Sequence, residues 1–152
     1  MSLKNSLLSI LLASLVLTGC KLDSSAIDAE SIKITRGNIR DGYVEVMVDV
    51  TAIGLDGYAT GLLDKAEWYR PYQEKGYTMF YEVYDPSGEL VEKRTQDLGK
   101  YGNDTAFSTQ ELTIPQPEWW TEDNPVQYTL VLRLKIINKP LSSVSKKFKL
   151  SQ

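Results

Sequence analysis

Tyr43-Val44-Glu45-Val46-Met47-Val48-Asp49-Val50-Thr51 is the stretch that decides the fold. Val44, Val46, Val48 and Val50 fall on one side of an extended chain, and Glu45, Asp49 and Thr51 on the other. Alternation of β-branched with polar residues marks a strand with one face buried. Continued to Ile53, it predicts a strong strand over 43–53.

The same period recurs on both sides. Upstream, Ile32 and Ile34 alternate with polar residues in a short first strand that ends at Gly37 to Gly42. Downstream, Met79, Tyr81 and Val83 oppose Thr78, Phe80 and Glu82 over 77–85. Asp85-Pro86-Ser87-Gly88 then suits a type I turn, with Asp first, Pro second and Gly fourth. A hairpin partner follows over 89–95, and a further strand over 106–114. In the longest strand, 126–137, Tyr128, Leu130, Leu132, Leu134 and Ile136 share a face opposite Arg133 and Lys135. Lys139-Pro140 is read as a turn into the last strand, where Val144, Phe148 and Leu150 alternate with lysines that discourage strand addition at an edge. Seven strands punctuated by turns, with no long amphipathic helix, predict an all-β fold, an antiparallel seven-stranded sandwich. Gly54 to Gly76 is long for a connection in a compact domain. Leu62, Leu63, Ala66 and Tyr69 at rough helical spacing give it a short helical turn flanked by loop.

Composition narrows the function classes. The chain has 152 residues and a net charge of −3. Lys4 is the one charged residue ahead of Cys20, so the part from Cys20 onward carries −4. A mildly acidic domain with mixed charges lacks the basic face of a nucleic-acid binder, and anionic headgroups are disfavoured for the same reason. Histidine is absent, which removes the commonest general acid–base and the commonest zinc ligand.

The leader has its own logic. Lys4 is followed by an apolar run over Leu7 to Leu17, about half of the ~20 residues a membrane-spanning helix needs, as in a secretory signal peptide. The run closes on Leu17-Thr18-Gly19-Cys20, which resembles the lipobox of bacterial lipoproteins. That resemblance implies cleavage before Cys20, acylation of its thiol and new amine, and permanent attachment to a bilayer, since several acyl chains anchor where one does not. Lys21 stands where an aspartate would favour the inner membrane, which implies an outer-membrane, periplasm-facing protein. As the only cysteine, Cys20 permits no internal disulfide, and lipidation accounts for its solitude. The expected organisation is a signal peptide over 1–19, a lipidated cysteine and flexible tether over 20–30, and a sandwich domain over 31–152.

A second resemblance rests on Tyr81-Glu82-Val83-Tyr84-Asp85-Pro86-Ser87-Gly88-Glu89-Leu90-Val91, Leu112-Thr113-Ile114-Pro115 and Tyr128-Thr129-Leu130-Val131-Leu132. These are similar to the strands and turns of immunoglobulin-like modules, fibronectin type III and macroglobulin-type domains among them. Tyr128 takes the place of their tyrosine-corner residue. Such an order would gather loops 54–76, 96–104 and 139–140 at one end of the sandwich, with Tyr58, Trp68, Tyr69, Arg70, Tyr72 and Tyr101 among them. Loops on a rigid sandwich are where binding usually resides, and Tyr, Trp and Arg dominate hot spots. Each ring can instead fold down to plug the core. Trp119-Trp120 poses the same choice at the other end, where adjacent residues of an extended segment face opposite ways.

Chemistry finds few candidates. Asp56, Asp64 and Glu67 share the long loop, and an acid pair could act in glycoside hydrolysis, but carboxylates in loops are usually solvated and no acid spacing matches a calcium loop. Serines lack an evident base. The expectation is therefore a non-enzymatic envelope lipoprotein without metal or cofactor beyond the lipid on Cys20. Its partners would be the bilayer and another envelope protein, with a glycan as the alternative ligand and a hydrolase ranked last.

Overall fold

A computed structural model describes residues 26–55, 76–99, 104–136 and 139–152. In them the chain forms β1 (Ile27–Arg40), β2 (Tyr43–Ala52), β3 (Tyr77–Tyr84), β4 (Leu90–Asp97), β5 (Ala106–Pro115), β6 (Tyr128–Ile136) and β7 (Lys139–Phe148). One sheet has the order β1-β2-β5 and the other β4-β3-β6-β7, all neighbours antiparallel. This is the immunoglobulin-like sandwich that the strand pattern predicts. In constant-type immunoglobulin domains the fourth strand joins the sheet of the first; here β4 pairs with β3.

The valine stripe of β2 does what its period requires. Val44, Val46, Val48 and Val50 are buried, and they face Tyr77, Met79, Tyr81 and Val83 of β3 and Leu130, Leu132, Leu134 and Ile136 of β6 within one core. Each such side chain contributes about 1.5–3 kcal/mol by leaving water. Of the three central strands, β2 and β6 alternate buried with half-buried residues along their whole length.

Two boundaries differ from expectation. β1 begins at Ile27, inside the stretch read as a tether, because Ala26 and Ile27 are buried and Ile53 N donates to Ala26 O at 2.9 Å. Apolar periodicity is hidden there by a bulge between Asp28 and Lys33, where the Ser31 hydroxyl accepts from Thr51 N at 2.8 Å. Lys139 and Pro140 belong to β7 rather than to a turn, and Pro140 sits at a register irregularity on an edge strand, where its missing N–H costs no ladder bond. The expected helical turn in the long connection lies outside the described residues.

The turn at Asp85 holds the β3–β4 hairpin. Gly88 N donates to Asp85 O at 3.0 Å, while Asp85 Oδ1 accepts from Ser87 N, Ser87 Oγ and Glu89 N at 2.9, 2.6 and 2.9 Å. The Ser87 hydroxyl, then the Glu89 amide, hold the Asp85 carboxyl below its ordinary pKa. Gly88 adopts φ +93°, and a Cβ there would meet nothing within 4 Å. The cost of a side chain is therefore backbone strain alone. Gly88→Ala is expected to destabilise by about 1–2 kcal/mol, read from urea midpoints, and an unchanged midpoint would show that the turn relaxes.

Candidate functional site

Strand pairing sorts the connections to two ends. The β2–β3, β4–β5 and β6–β7 connections share one end, where Leu55 N donates to Asp104 O at 3.1 Å and Tyr77 N to Gly99 O at 3.1 Å. The Tyr77 hydroxyl donates to Leu55 O at 2.5 Å, and both residues are buried. Core residues from the strands' own ends thus close this side. Tyr58, Trp68, Tyr69, Arg70, Tyr72 and Tyr101 lie outside the described residues, as do Cys20, Asp56, Asp64 and Glu67.

At the opposite end are the Asp41-Gly42 turn, the Asp85 turn and the connection over 116–127, with Gln116 N donating to Gly42 O at 2.7 Å. Trp119 packs against the core while half-buried. Trp120 is also half-buried; its backbone N donates to Leu150 O at 2.7 Å, and Lys149 Nζ stands 3.8 Å from its ring centroid. One indole therefore caps the core and the other holds a cation over a face. Glu118 N donates to the Tyr128 hydroxyl at 2.7 Å, fixing this connection to the start of β6 as a tyrosine corner would. Burial raises the pKa of that phenol, against the Glu118 amide that lowers it.

The feature that sequence reading missed lies on the outer face of the four-stranded sheet. Glu82 points away from the core yet is buried, because Arg133, Lys93 and Tyr84 close over it. Arg133 Nη1 and the Tyr84 hydroxyl, the latter at 3.0 Å, both donate to Oε2, and Lys93 Nζ lies 3.6 Å from Oε1. Desolvation pushes the Glu82 pKa up, but Tyr84, Arg133 and Lys93 together outweigh it and hold the group below its ordinary value. Beside it, Lys135 Nζ stands 4.7 Å from the Phe80 ring centroid. Phe80, Glu82 and Tyr84 alternate legibly in β3, and Arg133 and Lys135 in β6. The pairing of Glu82 with Val131 and Phe80 with Arg133 that brings them together spans some fifty residues and leaves no local signal.

Inside the sandwich, between β4 and β5, a second polar group is tied up. The Tyr81 and Ser108 hydroxyls are hydrogen-bonded, and Ser108 Oγ donates to Gln96 Oε1 at 2.5 Å. Burial raises the Tyr81 pKa, opposed by the Ser108 hydrogen bond. Glycoside hydrolysis generally needs two carboxyl groups flanking a bond, one of them able to donate a proton. Glu82 is held ionised with both oxygens engaged, so its geometry fits a structural tie. Among the described residues no cluster of three or more metal-binding side chains occurs.

Comparison with known proteins gives the fold its context. Residues 70–148 match the sequence pattern of glycosyl hydrolases family 2, while no curated protein matches the chain. Among solved structures, a glycosyl hydrolase family 2 member from Bacteroides cellulosilyticus superposes with TM-score 0.63 at 14% identity, over 82% of this chain and 15% of that one. A β-glucuronidase from glycoside hydrolase family 2 gives TM-score 0.61 at 15% identity, over 86% and 12%. The β-glucuronidase of Bacteroides uniformis gives 0.60 at 14%, over 80% and 13%. The chain thus spans about one-seventh of the length of these proteins. The family match overturns the expectation of a non-enzymatic protein, which leaned on solvated loop carboxylates, on serines without a base and on the absence of histidine. Glycoside hydrolysis runs on carboxylates and needs no imidazole, so that absence had no bearing on it.

Proposed function

Because the chain belongs to glycosyl hydrolase family 2, we propose that it works as an immunoglobulin-like sandwich module in glycoside hydrolysis at a bacterial envelope, tethered by an acylated Cys20. The observation that carries this is the match over 70–148, which runs through β3 to β7 and so includes the whole four-stranded sheet. Solved relatives named as β-glucuronidases carry a comparable sandwich as a small part of a much longer chain. Here that module would act beside a catalytic domain on β-linked sugars, β-glucuronides first among them. Lipobox, apolar run and Lys21 support an outer-membrane, periplasm-facing attachment. Another envelope protein is then the natural partner.

A second reading, direct contact with a glycan, is favoured by Trp120. Its indole is partly open, but Lys149 already covers one face. A stacked sugar would use the other face or displace the ammonium.

The experiment is affinity capture of the lipidated chain from gently solubilised envelopes, followed by assay of the eluate on a chromogenic β-glucuronide and a panel of other glycosides. Turnover that co-purifies, in near-stoichiometric association with a second protein, is the expected result. An eluate that hydrolyses none of them would sink the reading. Trp120→Ala would weaken capture on immobilised glycan only under the second reading.

A further inference from the structure

Two exposed large apolar residues lie at the end of the three-stranded sheet where the chain enters the sandwich. Phe107 is 81% exposed and Ile53 37% exposed. Phe107 pairs with Thr51 across the β2–β5 ladder, whose last pair is Ala52 with Ala106, and Ile53 follows β2 directly, its backbone N held by Ala26 O; extended continuation of the strand would make it the diagonal neighbour of Phe107. Ile27, Ala52 and Ala106 lie in one row across β1, β2 and β5, which sets the pair at the extreme end of the sheet. The other exposed large apolar residues among those described, Ile39 and Leu90, belong to the opposite end and to different sheets.

The chain's entry point fixes what this pair would meet. Ala26 is buried and accepts from the backbone N of Ile53 itself. Cys20 precedes Ala26 by six residues in the sequence, a reach of at most about 20 Å. An acyl group on Cys20 therefore keeps this end, rather than the double-tryptophan end, against the bilayer. Among the described residues, Asp28 lies across Thr51 from Phe107 and Lys33 pairs with Asp49 next along the ladder, so the mixed charge suits zwitterionic headgroups better than anionic ones.

Resting on the lipoprotein reading above, we infer that Ile53 and Phe107 insert into the interfacial layer of the membrane. They would be a second, apolar point of attachment that stands the sandwich with its Asp85 and Trp119–Trp120 end outward. Several acyl chains already make the anchor permanent, so what a ring beside the tether adds is orientation: it removes rotational freedom about the anchor.

The test uses the full processed chain in phosphatidylcholine vesicles with plain or brominated acyl chains, bromine being a short-range quencher of indole. Phe107→Trp is compared with Leu90→Trp, both at exposed positions. The emission added by Phe107→Trp should be mostly lost in brominated vesicles, and that added by Leu90→Trp retained, with no dependence on salt. Equal emission from both, in a chain whose mass shows acylation at Cys20, overturns the inference and leaves the anchor standing. A processed chain without acyl mass on Cys20 removes the anchor and the inference with it.

Discussion

Leu132→Ala is expected to lower the stability of the sandwich by about 3–4 kcal/mol and its melting temperature by roughly 10–15 °C. Leu132 is 0% exposed, and it sits mid-strand in β6, hydrogen-bonded between β3 and β7 opposite Tyr81 and Val144. Truncation removes three carbons from a site with sheet on both sides and the facing sheet above. Neighbouring backbone is held by two ladders, so the cavity collapses little and the cost lies above simple transfer. Val131→Ala, one residue away on the half-buried outer face, should cost less than about 1 kcal/mol. Thermal melts of the two variants check this; a shift for Leu132→Ala no larger than for Val131→Ala would mean that the inner face is not packed as described.

Glu82→Gln should cost about 1–2 kcal/mol at neutral pH, in the range of hydrogen bonds to a charged group. The lower figure reflects partners that remain 40% (Arg133) and 55% (Lys93) exposed and so are screened by water. The pH dependence is the sharper prediction. The Glu82 pKa is lower in the folded chain than its ordinary value of about 4.3. Its contribution is thus complete above that unfolded value and is lost as pH falls through the folded one. The stability gap between the parent and Glu82→Gln should be flat from neutral pH down to about pH 5–6 and close in more acidic solution. A gap that widens on acidification, in urea melts over that range, would reverse the sign assigned to the Arg133 and Lys93 contacts.

What sequence alone could deliver divides along physical lines. Period-two alternation in 43–51 and 128–136 is local, so β2 and β6 and their inward faces were legible. Asp85-Pro86-Ser87-Gly88 was legible because turn chemistry is local too. Register is not local, and that hid the closure of Arg133 over Glu82 and the tie between Tyr81, Ser108 and Gln96. The start of β1 was hidden for a different reason: its bulge breaks the alternation just where Ala26 and Ile27 enter the core. The loop aromatics proposed for binding fall outside the described residues, so among candidate site residues only Trp119 and Trp120 acquire a geometry. Kinship to glycosyl hydrolases left no short motif to find. It is carried by the spacing of many strand positions over 70–148, no one of which is diagnostic.

The placement of Ala26 and Leu150 has a mechanical consequence. Ala26 enters beside the last residues of β2, whereas Leu150 leaves against Trp120, at the other end of the sandwich. A pull between those two points acts along the strands. In antiparallel ladders the hydrogen bonds lie perpendicular to that direction, so β1 against β2 and β7 against β6 would be sheared and whole rows of bonds strained together, instead of being unzipped one by one. Tension applied between Ala26 and Leu150 would therefore load this body along its strands.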